Sequence, residues 1–165
     1  MTFWTYKGAE FPVPYSSRFF VIKSYSVMDV HASFEHGIWT STEMGNRRLD
    51  RAFRESRGGA FGGAGKVFLF FSVNASGRFC GVCEMVGAVD FTRSSGVWSE
   101  QGKWRGVFAV EWMMVADVPN RCLQHLKVAG NEDRPVTCSR DTQEIPFETG
   151  VAMLKIVSSR QGQDL

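Results

Sequence analysis

The apolar positions of this chain fall in runs of the length that is typical of β-strands. The first run is RFFVIK at residues 18–23, and runs rich in aromatic and β-branched residues follow at residues 66–74, 78–90 and 106–118. Turn formers such as NASG separate these runs, which strengthens the strand interpretation. None approaches the roughly 20 apolar residues needed to cross a membrane as a helix, so we expect no membrane partner.

Amphipathic segments around these runs predict helices. Ser26 is followed three residues later by Asp29, which is a capping-box pattern, and Gly37 is a typical residue at the end of a helix. A first helix is therefore expected within residues 26–37. Further helices are expected at residues 42–56, 118–126 and 146–159, the last with a proline in its first turn.

These elements predict a single domain of the α+β (α/β) class that comprises residues 1–165. The order of one strand, two helices, several strands and a closing helix favours a curved or closed sheet with helices packed against it. We expect the glycine-rich stretch at residues 58–65 to be a flexible connector and residues 134–146 to be irregular. A chain of 165 residues has room for one substantial core and not for two.

Charge is unevenly distributed along the chain. The net charge is only +2, so bulk charge does not indicate a nucleic-acid binder. Residues 47–57, however, hold five arginines against one aspartate and one glutamate. A local basic face of this kind either contacts phosphates or is simply a solvated helix surface, and charge alone does not decide between the two.

Several motifs suggest chemistry but lack its requirements. The stretch GGAFGGAGK lacks both the first glycine of a P-loop and the Ser or Thr after its lysine. Cys80 and Cys83 have redox or zinc spacing, but they lie in a predicted strand, where residues three apart point to opposite faces. His31, His36 and His125 have no Ser or Cys nearby in a recognisable nucleophile setting. We therefore expect no metal, no cofactor and no catalysis.

Three tryptophans stand beside turn formers and polar residues rather than inside the apolar runs. They are Trp39, Trp98 and Trp104, whereas Trp112 lies within a predicted strand and is expected in the core. Gathered together, three indoles would form a cage for a flat or methylated group. The alternative is that they only cover the core.

The longest sequence motifs carry a family resemblance. RFFVIKSYSVMDVHASFEHGIWTSTEMGNRRLD, FFSVNASGRFCGVCEM, GVWSEQGKW and PVTCSRDTQEIP together resemble a YTH domain, the family that reads N6-methyladenosine in RNA. The similarity covers about residues 17–159 in the same order. It is closest to the cytoplasmic branch of the family, and its departures suggest a distant, fungal member.

The resemblance implies a six-stranded curved barrel with helices around it, and it implies a site. Trp39, Trp98 and Trp104 would form the cage for N6-methyladenosine. Contacts to the edge of the base would come from Lys23, Ser24, Tyr25, Asp29, Thr40 and Asn74. RNA phosphates would be bound by Lys23, Arg48 and Arg140. Since a carboxylate and a ring nitrogen are both acceptors, a contact from Asp29 needs a bridging water or a proton.

The resemblance also implies a partner, which is single-stranded RNA that carries N6-methyladenosine, bound by a monomer. It implies a cytoplasmic location, with the nucleus as an alternative. A different class remains open, because an aromatic cage with Asp29 could hold methylated lysine of a protein through cation–π attraction. The arginine-rich face disfavours this, since histone-like tails are themselves basic. One departure concerns the site: Trp98 and Trp104 are one residue further apart than in vertebrate members, with Gly102 as the insertion.

Overall fold

The computed structural model describes residues 1–57 and 65–162. The strands in these residues are β1 (Thr2–Trp4), β2 (Glu10–Pro12), β3 (Arg18–Ser24), β4 (Ile38–Trp39), β5 (Val67–Val73), β6 (Arg78–Met85), β7 (Phe108–Pro119), β8 (Lys127–Val128), β9 (Arg134–Pro135) and β10 (Gln143–Ile145). The α-helices are α1 (Val27–His36), α2 (Glu43–Arg57) and α3 (Phe147–Arg160). Except for Gly65, the connector predicted at residues 58–65 lies outside the described residues. None of the helices in the described part is long and apolar enough to cross a membrane.

A six-stranded sheet in the order β10-β3-β5-β6-β7-β4 organises the described chain. Only β3 and β5 run parallel, and the connection between them carries α1, β4 and α2. The register shifts between β5 and β6 and between β6 and β7, and such bulges bend a strand and increase its twist. The predicted α+β fold, with a curved six-stranded sheet and surrounding helices, is confirmed.

The central strand β5 explains why the molecule has two apolar layers. All but the last residue of VFLFFSV in β5 are buried, so both faces of the strand are covered. Phe68 and Phe70 pack in a core that includes residues of α3 and the β1–β2 hairpin. Leu69 and Phe71 point to the opposite face, where they meet residues of α2 and the tryptophans of the candidate site. The site therefore rests directly on the second core layer.

The helix ends follow the predicted signals closely. Ser26 caps α1 by accepting a hydrogen bond from the Asp29 amide, and Gly37 ends the helix at a left-handed φ of 67°. Thr42 precedes α2 and its hydroxyl accepts a hydrogen bond from the Gly45 amide. The closing helix α3 begins at Phe147, so Pro146 is its N-cap residue rather than part of its first turn as predicted. These local signals place the two helices that flank the site.

Other elements differ from the sequence prediction. The strand expected at residues 78–90 ends at Met85, because only an isolated bridge between Asp90 and Val107 continues the pairing. The helix expected at residues 118–126 is a single 3₁₀ turn at Asn120–Cys122, since its hydrogen bonds span three residues rather than four. Sequence reasoning also missed the β1–β2 hairpin, the two-residue strand β4, and strand β10 within the segment expected to be irregular.

Candidate nucleic-acid interface

A cavity of about 410 Å³ opens where the carboxyl ends of the parallel strands β3 and β5 meet. Of the predicted site residues, it is lined by Lys23, Ser24, Tyr25, Asp29, Trp39, Thr40, Asn74, Trp98, Trp104 and Arg140. Ser41, Thr42, Cys138, Ser139 and Asp141 complete the lining. We call this space the cage cavity. The fold thus brings together residues that are more than a hundred positions apart in the chain.

The three tryptophans both cover the core and line this cavity. Trp39 and Trp98 pack edge to face, with ring centroids 5.4 Å apart and an interplanar angle of 79°. Trp39 also meets Phe71 edge-on at 4.8 Å, which anchors it to the sheet. Trp104 is only partly buried, and its ring lies 5.4 Å from that of Tyr25. The two interpretations of these indoles are therefore compatible: they close the core on one side and face the cavity on the other.

Asp29 fastens the segment that carries Trp98. Its carboxylate accepts hydrogen bonds from the amide of Ser99 at 2.7 Å and from the Ser99 hydroxyl at 3.1 Å. The capping-box prediction was thus half right: Ser26 caps the Asp29 amide, but the return bond is not made. The Ser26 amide instead donates to the hydroxyl of Ser24. Because the carboxylate holds this loop in place, Asp29 has a positioning role in addition to its predicted contact with the base.

The same loop is closed by Gln101 and turned by Gly102. The side-chain amide of Gln101 donates to the carbonyl oxygens of Gly96 and Trp98, at 2.7 and 2.9 Å. Gly102 has a φ of 74°, a conformation that costs glycine little and other residues more. Gly102, which the resemblance suggests is an insertion, lies in this turn, and both indoles line the cage cavity.

Asn46, at the start of α2, joins the two segments that follow Trp39 and Trp104. Its side-chain oxygen accepts a hydrogen bond from the Ser41 amide at 2.8 Å. Its side-chain nitrogen donates to the Thr40 hydroxyl at 3.1 Å and to the Arg105 carbonyl at 3.2 Å. Asn46 is fully buried, so these bonds are made in a protected environment. Sequence reasoning missed this residue, because one asparagine in an arginine-rich helix carries no local signal.

Asp141 joins the end of β3 to the segment after Trp39, and sequence reasoning also missed it. Its carboxylate accepts hydrogen bonds from the Lys23 amide at 2.9 Å and from the Ser41 hydroxyl at 2.8 Å. Burial raises the pKa of Asp141, and these hydrogen bonds oppose the rise. The next residue, Thr142, has a φ of 63°, which is rare for a β-branched residue and is typical of a strained functional segment. A signal was available, since Asp141 follows Arg140 within a motif of the family resemblance.

Glycine at position 45 makes room for this arrangement. A Cβ at Gly45 would lie 2.3 Å from the Ser41 hydroxyl oxygen, which is far inside van der Waals contact. The hydroxyl could not then stay in place to donate to Asp141. Glycine at position 45 therefore allows Ser41, in the wall of the cage cavity, to pack closely against the start of α2.

The predicted phosphate-binding cations occupy three different settings. Lys23 is half-buried, its Nζ donates to the Thr137 carbonyl at 3.3 Å, and burial lowers its pKa. Arg140 is exposed and lines both the cage cavity and a neighbouring cavity of about 470 Å³. Arg48 lines only the neighbouring cavity, where it donates to the Thr142 hydroxyl at 2.6 Å. Arg48 is thus the one predicted site residue that lies outside the cage cavity.

The cysteines and acidic residues of the described chain form no metal site. No group of three or more His, Cys, Asp or Glu side chains in residues 1–57 and 65–162 is arranged to hold a metal ion. Cys80 and Cys83 lie on β6, and burial raises the pKa of Cys80 to about 11. Burial also raises the pKa of Cys83, which disfavours the reactive thiolate at both positions.

Comparisons with known proteins identify the family. The YTH family, described as the YT521-B-like domain, matches residues 17–158. The chain is 54% identical over 142 residues to YTH domain-containing family protein 2 of Homo sapiens, and 53% identical over 144 residues to family protein 1 of Mus musculus. These alignments cover 86% and 87% of this chain but only 24% and 25% of the relatives, so the chain spans about a quarter of their length. The chain belongs to the YTH family.

Solved structures agree with this assignment. The Pho92 YTH domain in complex with m6A is 42% identical, with a TM-score of 0.83 over 94% of this chain and 92% of that one. The YTH domain of Zygosaccharomyces rouxii MRB1, in complex with N6-methyladenosine RNA, is 44% identical with the same TM-score over 92% and 93%. The Toxoplasma CPSF4-YTH domain in its apo form is 30% identical, with a TM-score of 0.79 over 92% of both chains. The family predicted from the sequence motifs is confirmed, whereas the fungal origin stays a prediction.

Proposed function

We propose that this chain binds single-stranded RNA that carries N6-methyladenosine and holds the modified base among Trp39, Trp98 and Trp104. The observation that carries the proposal is the cage cavity, in which these indoles stand beside polar groups suited to the edge of a base. Its volume of about 410 Å³ falls within the usual range for small-ligand sites. Related domains with the same fold have been solved in complex with m6A or m6A-containing RNA.

Stacking and methyl burial set the expected selectivity. Stacking a base on an aromatic side chain contributes about 1–3 kcal/mol, whether or not the base is methylated. Burying one methyl group adds about 0.8 kcal/mol, and a fitted apolar pocket discriminates by about 1–3 kcal/mol. We therefore expect a preference of tens-fold for the methylated base. Because the base is neutral, cation–π attraction is not the source of this preference.

The polar groups of the cavity would orient the base. The backbone carbonyl of Thr40 would accept the hydrogen of the methylamino group, while the Lys23–Tyr25 backbone and Asn74 would meet the other edge. The Asn74 amide donates to the Ser24 carbonyl at 2.9 Å, which holds these two segments side by side. Asp29 would reach the ring through a bridging water while its carboxylate holds Ser99.

Phosphate contacts would come from Lys23, Arg48 and Arg140. Such contacts supply affinity and position the strand, but they do not read its sequence. The proposed activity is binding without a chemical step, carried out by a monomer in which residues 1–165 act as one domain and residues 17–159 form the reading unit. The similarity to YTH domain-containing family proteins supports a cytoplasmic location.

A methyl-lysine ligand has less support. The carboxylate of Asp29 already accepts two hydrogen bonds from Ser99, which weakens the attraction that it could offer to a cation. Lys23 and Arg140 line the same cavity and balance the charges of Asp29 and Asp141, so the lining has no net negative charge to attract an ammonium group. We therefore favour a neutral base over a methylated ammonium group.

Binding of two short RNAs that differ only by one N6-methyl group tests the proposal. The wild-type chain is expected to bind the methylated RNA tens-fold more tightly. Trp104→Ala should remove most of this gap, since Trp104 is the least buried of the three indoles. Trp4→Ala is the matched control, because Trp4 is 56% exposed and does not line the cage cavity.

Equal binding of the two RNAs by the wild-type chain would refute the proposal. So would a loss of preference in Trp4→Ala as large as in Trp104→Ala. A peptide with trimethylated lysine, measured in the same assay, separates the second class of ligand. Tighter binding of that peptide than of the RNA would overturn the assignment to nucleic acid.

A further inference from the structure

A further cavity, of about 650 Å³, opens beside the carboxyl-terminal half of β7. It shares no lining residue with the cage cavity. We call it the β7 cavity, and its apolar lining includes Tyr6, Val27, Val73, Cys80 and Val115. Its volume falls within the usual range for ligand sites, so it has room for a group of the size of a large side chain.

The floor of the β7 cavity is a row of side chains from three neighbouring strands of the sheet. Val73 ends β5, Cys80 lies on β6 and Val115 lies on β7. Val115 is 40% exposed, and Val27 and Tyr6, which line the same cavity, are 52% and 38% exposed. Apolar groups exposed singly are ordinary, but a group of them around one cavity is typical of an interaction site.

The outer edge of β7 has no strand partner beside this cavity. Strand β4 pairs with only the first two residues of β7, and no other strand of residues 1–57 and 65–162 pairs with this edge. The Val115 amide donates instead to the side chain of Gln161 at 3.2 Å, and the Asp117 carbonyl accepts from the side chain of Arg160 at 2.8 Å. Side chains therefore satisfy backbone groups that the main chain of an added strand can satisfy equally well.

The charges beside the edge indicate what such a strand should carry. Two guanidinium groups, of Arg78 and Arg160, and one carboxylate, of Asp117, line the cavity. Arg78 forms an ion pair with Asp117, so the lining holds one more positive charge than negative charges. An acidic side chain complements this balance through charge-assisted hydrogen bonds. Because residues two positions apart share a face of a strand, an apolar and an acidic residue at that spacing would both face the cavity.

We propose that the β7 cavity binds an extended segment of a partner protein, which adds a strand to the outer edge of β7 at Val115 and Asp117. A large apolar side chain of this segment enters the cavity beside Val115, and an acidic side chain two positions away meets Arg160. The cage cavity uses none of these residues, so the chain can hold RNA and the partner at the same time. The inference adds a second binding activity and does not depend on the first.

Short capped peptides test the proposal. The probe carries leucine and glutamate two positions apart among threonines, and it is made in both orders because these correspond to opposite strand directions. One order is expected to bind several-fold more tightly than the same peptide with lysine in place of glutamate. In an added strand, alternate amide groups face the sheet. N-methylation of one alternate set of peptide amides should therefore weaken binding, and N-methylation of the other set should not.

Val27→Glu and Met28→Glu are matched variants of the protein. Both place a carboxylate in the first turn of α1, where it interacts favourably with the helix dipole, but only Val27 lines the β7 cavity. Val27→Glu should weaken binding of the glutamate peptide several-fold, because it replaces an apolar wall by a like charge. Met28→Glu should leave binding unchanged, and urea unfolding checks that both variants are folded.

The proposal is overturned if the lysine peptide binds as tightly as the glutamate peptide, or if neither order of the probe binds. It is also overturned if the two N-methylated sets bind alike, since the backbone then forms no strand, or if the two variants weaken binding equally. These assays contain no RNA, so their outcome is separate from whether the cage holds N6-methyladenosine.

Discussion

Single residues at this site contribute both to the core and to the lining of the cage cavity, to different degrees. Trp39 is 6% exposed and packs edge-on against both Phe71 and Trp98, so it belongs to the second core layer as much as to the cavity. Trp104 is partly buried and contacts Tyr25 at the rim. The indole nitrogens of Trp39 and Trp98 are buried and have no hydrogen-bond partner within the described residues. Within the described residues, the Trp39 ring is held by its edge-to-face contacts with Phe71 and Trp98.

This difference predicts that Trp39→Ala and Trp104→Ala separate stability from binding. Trp39→Ala should lower the free energy of unfolding by about 3–5 kcal/mol, as is usual for a buried aromatic residue. Trp104→Ala should change it much less but weaken binding of methylated RNA by about 5- to 150-fold, the equivalent of one stacking contact. Urea unfolding and RNA titration of both variants check this. Equal losses of stability in the two would contradict it.

Asp141 predicts a pH dependence with a definite sign. Burial raises its pKa in the folded state above the value of about 3.9 for an exposed aspartate. Between these two values the folded state binds more protons than the unfolded state, so stability falls as the pH rises through that window. Asp141→Asn removes this titrating group. The unfolding free energy of the wild type, minus that of the variant, should therefore fall as the pH rises from about 3 towards neutrality.

The same variant should weaken RNA binding at neutral pH. An asparagine cannot accept from both the Lys23 amide and the Ser41 hydroxyl as the carboxylate does. Urea titrations at several pH values, with RNA titrations at neutral pH, measure both effects. Glu148→Gln, an exposed acidic residue on α3, is the control and should show neither. A flat stability difference across the pH range would exclude this role for Asp141.

At the scale of elements, signals that act within a few residues were sufficient for α1, α2, α3 and the central strands. Ser26 and Gly37 mark the two ends of α1, and they could be recognised because capping depends only on neighbouring backbone groups. Strand β4 could not be predicted in this way. It has two residues, and it exists because Ile38 and Trp39 pair with β7, some seventy positions away. Short elements of this kind are fixed by tertiary contacts rather than by local propensity.

The start of α2 predicts a coupling between two segments of the site. Asn46 bonds the Ser41 amide through its oxygen, and the Thr40 hydroxyl and Arg105 carbonyl through its nitrogen. Asn46→Ala leaves these buried groups unpaired, and each such group costs about 1–3 kcal/mol. We expect a large loss of both stability and RNA binding.

Asn46→Asp is the informative partner variant. It keeps the acceptor for Ser41 but loses the donors to Thr40 and Arg105, so it should loosen the segment after Trp104 more than that after Trp39. Amide hydrogen exchange across residues 96–107 and 38–42, together with RNA titration, distinguishes the two. Uniform loss of protection in both segments would argue against separate roles for the side-chain oxygen and the side-chain nitrogen of Asn46.

At the scale of the whole molecule, most of the residues that line the cage cavity could be predicted from the family motifs in the sequence. The fold brings ten of the predicted residues to one cavity, because β3 and β5 are parallel and their ends meet. Asn46, Asp141 and Ser99 escaped prediction for a common reason. All three lie within the family motifs, but they act through contacts across the fold, and spacing along the chain does not record which groups they meet.

Charge distribution gives the last prediction at this scale. The net charge is only +2, yet Lys23, Arg48 and Arg140 gather around two adjoining cavities. Each phosphate contact to single-stranded RNA contributes about −0.7 to the slope of log affinity against log salt concentration. Three contacts predict a slope of about −2, and Arg48→Ala or Arg140→Ala should each reduce its magnitude by about 0.7.

The preference for the methylated base should not change with salt, because stacking and methyl burial involve no counterions. Titrations of methylated and unmethylated RNA at several salt concentrations measure the slope and the preference together. Arg121→Ala, exposed and outside the cavities, should leave both unchanged. If the preference fell with salt in parallel with affinity, discrimination would depend on charge, and the neutral-cage mechanism would have to be abandoned.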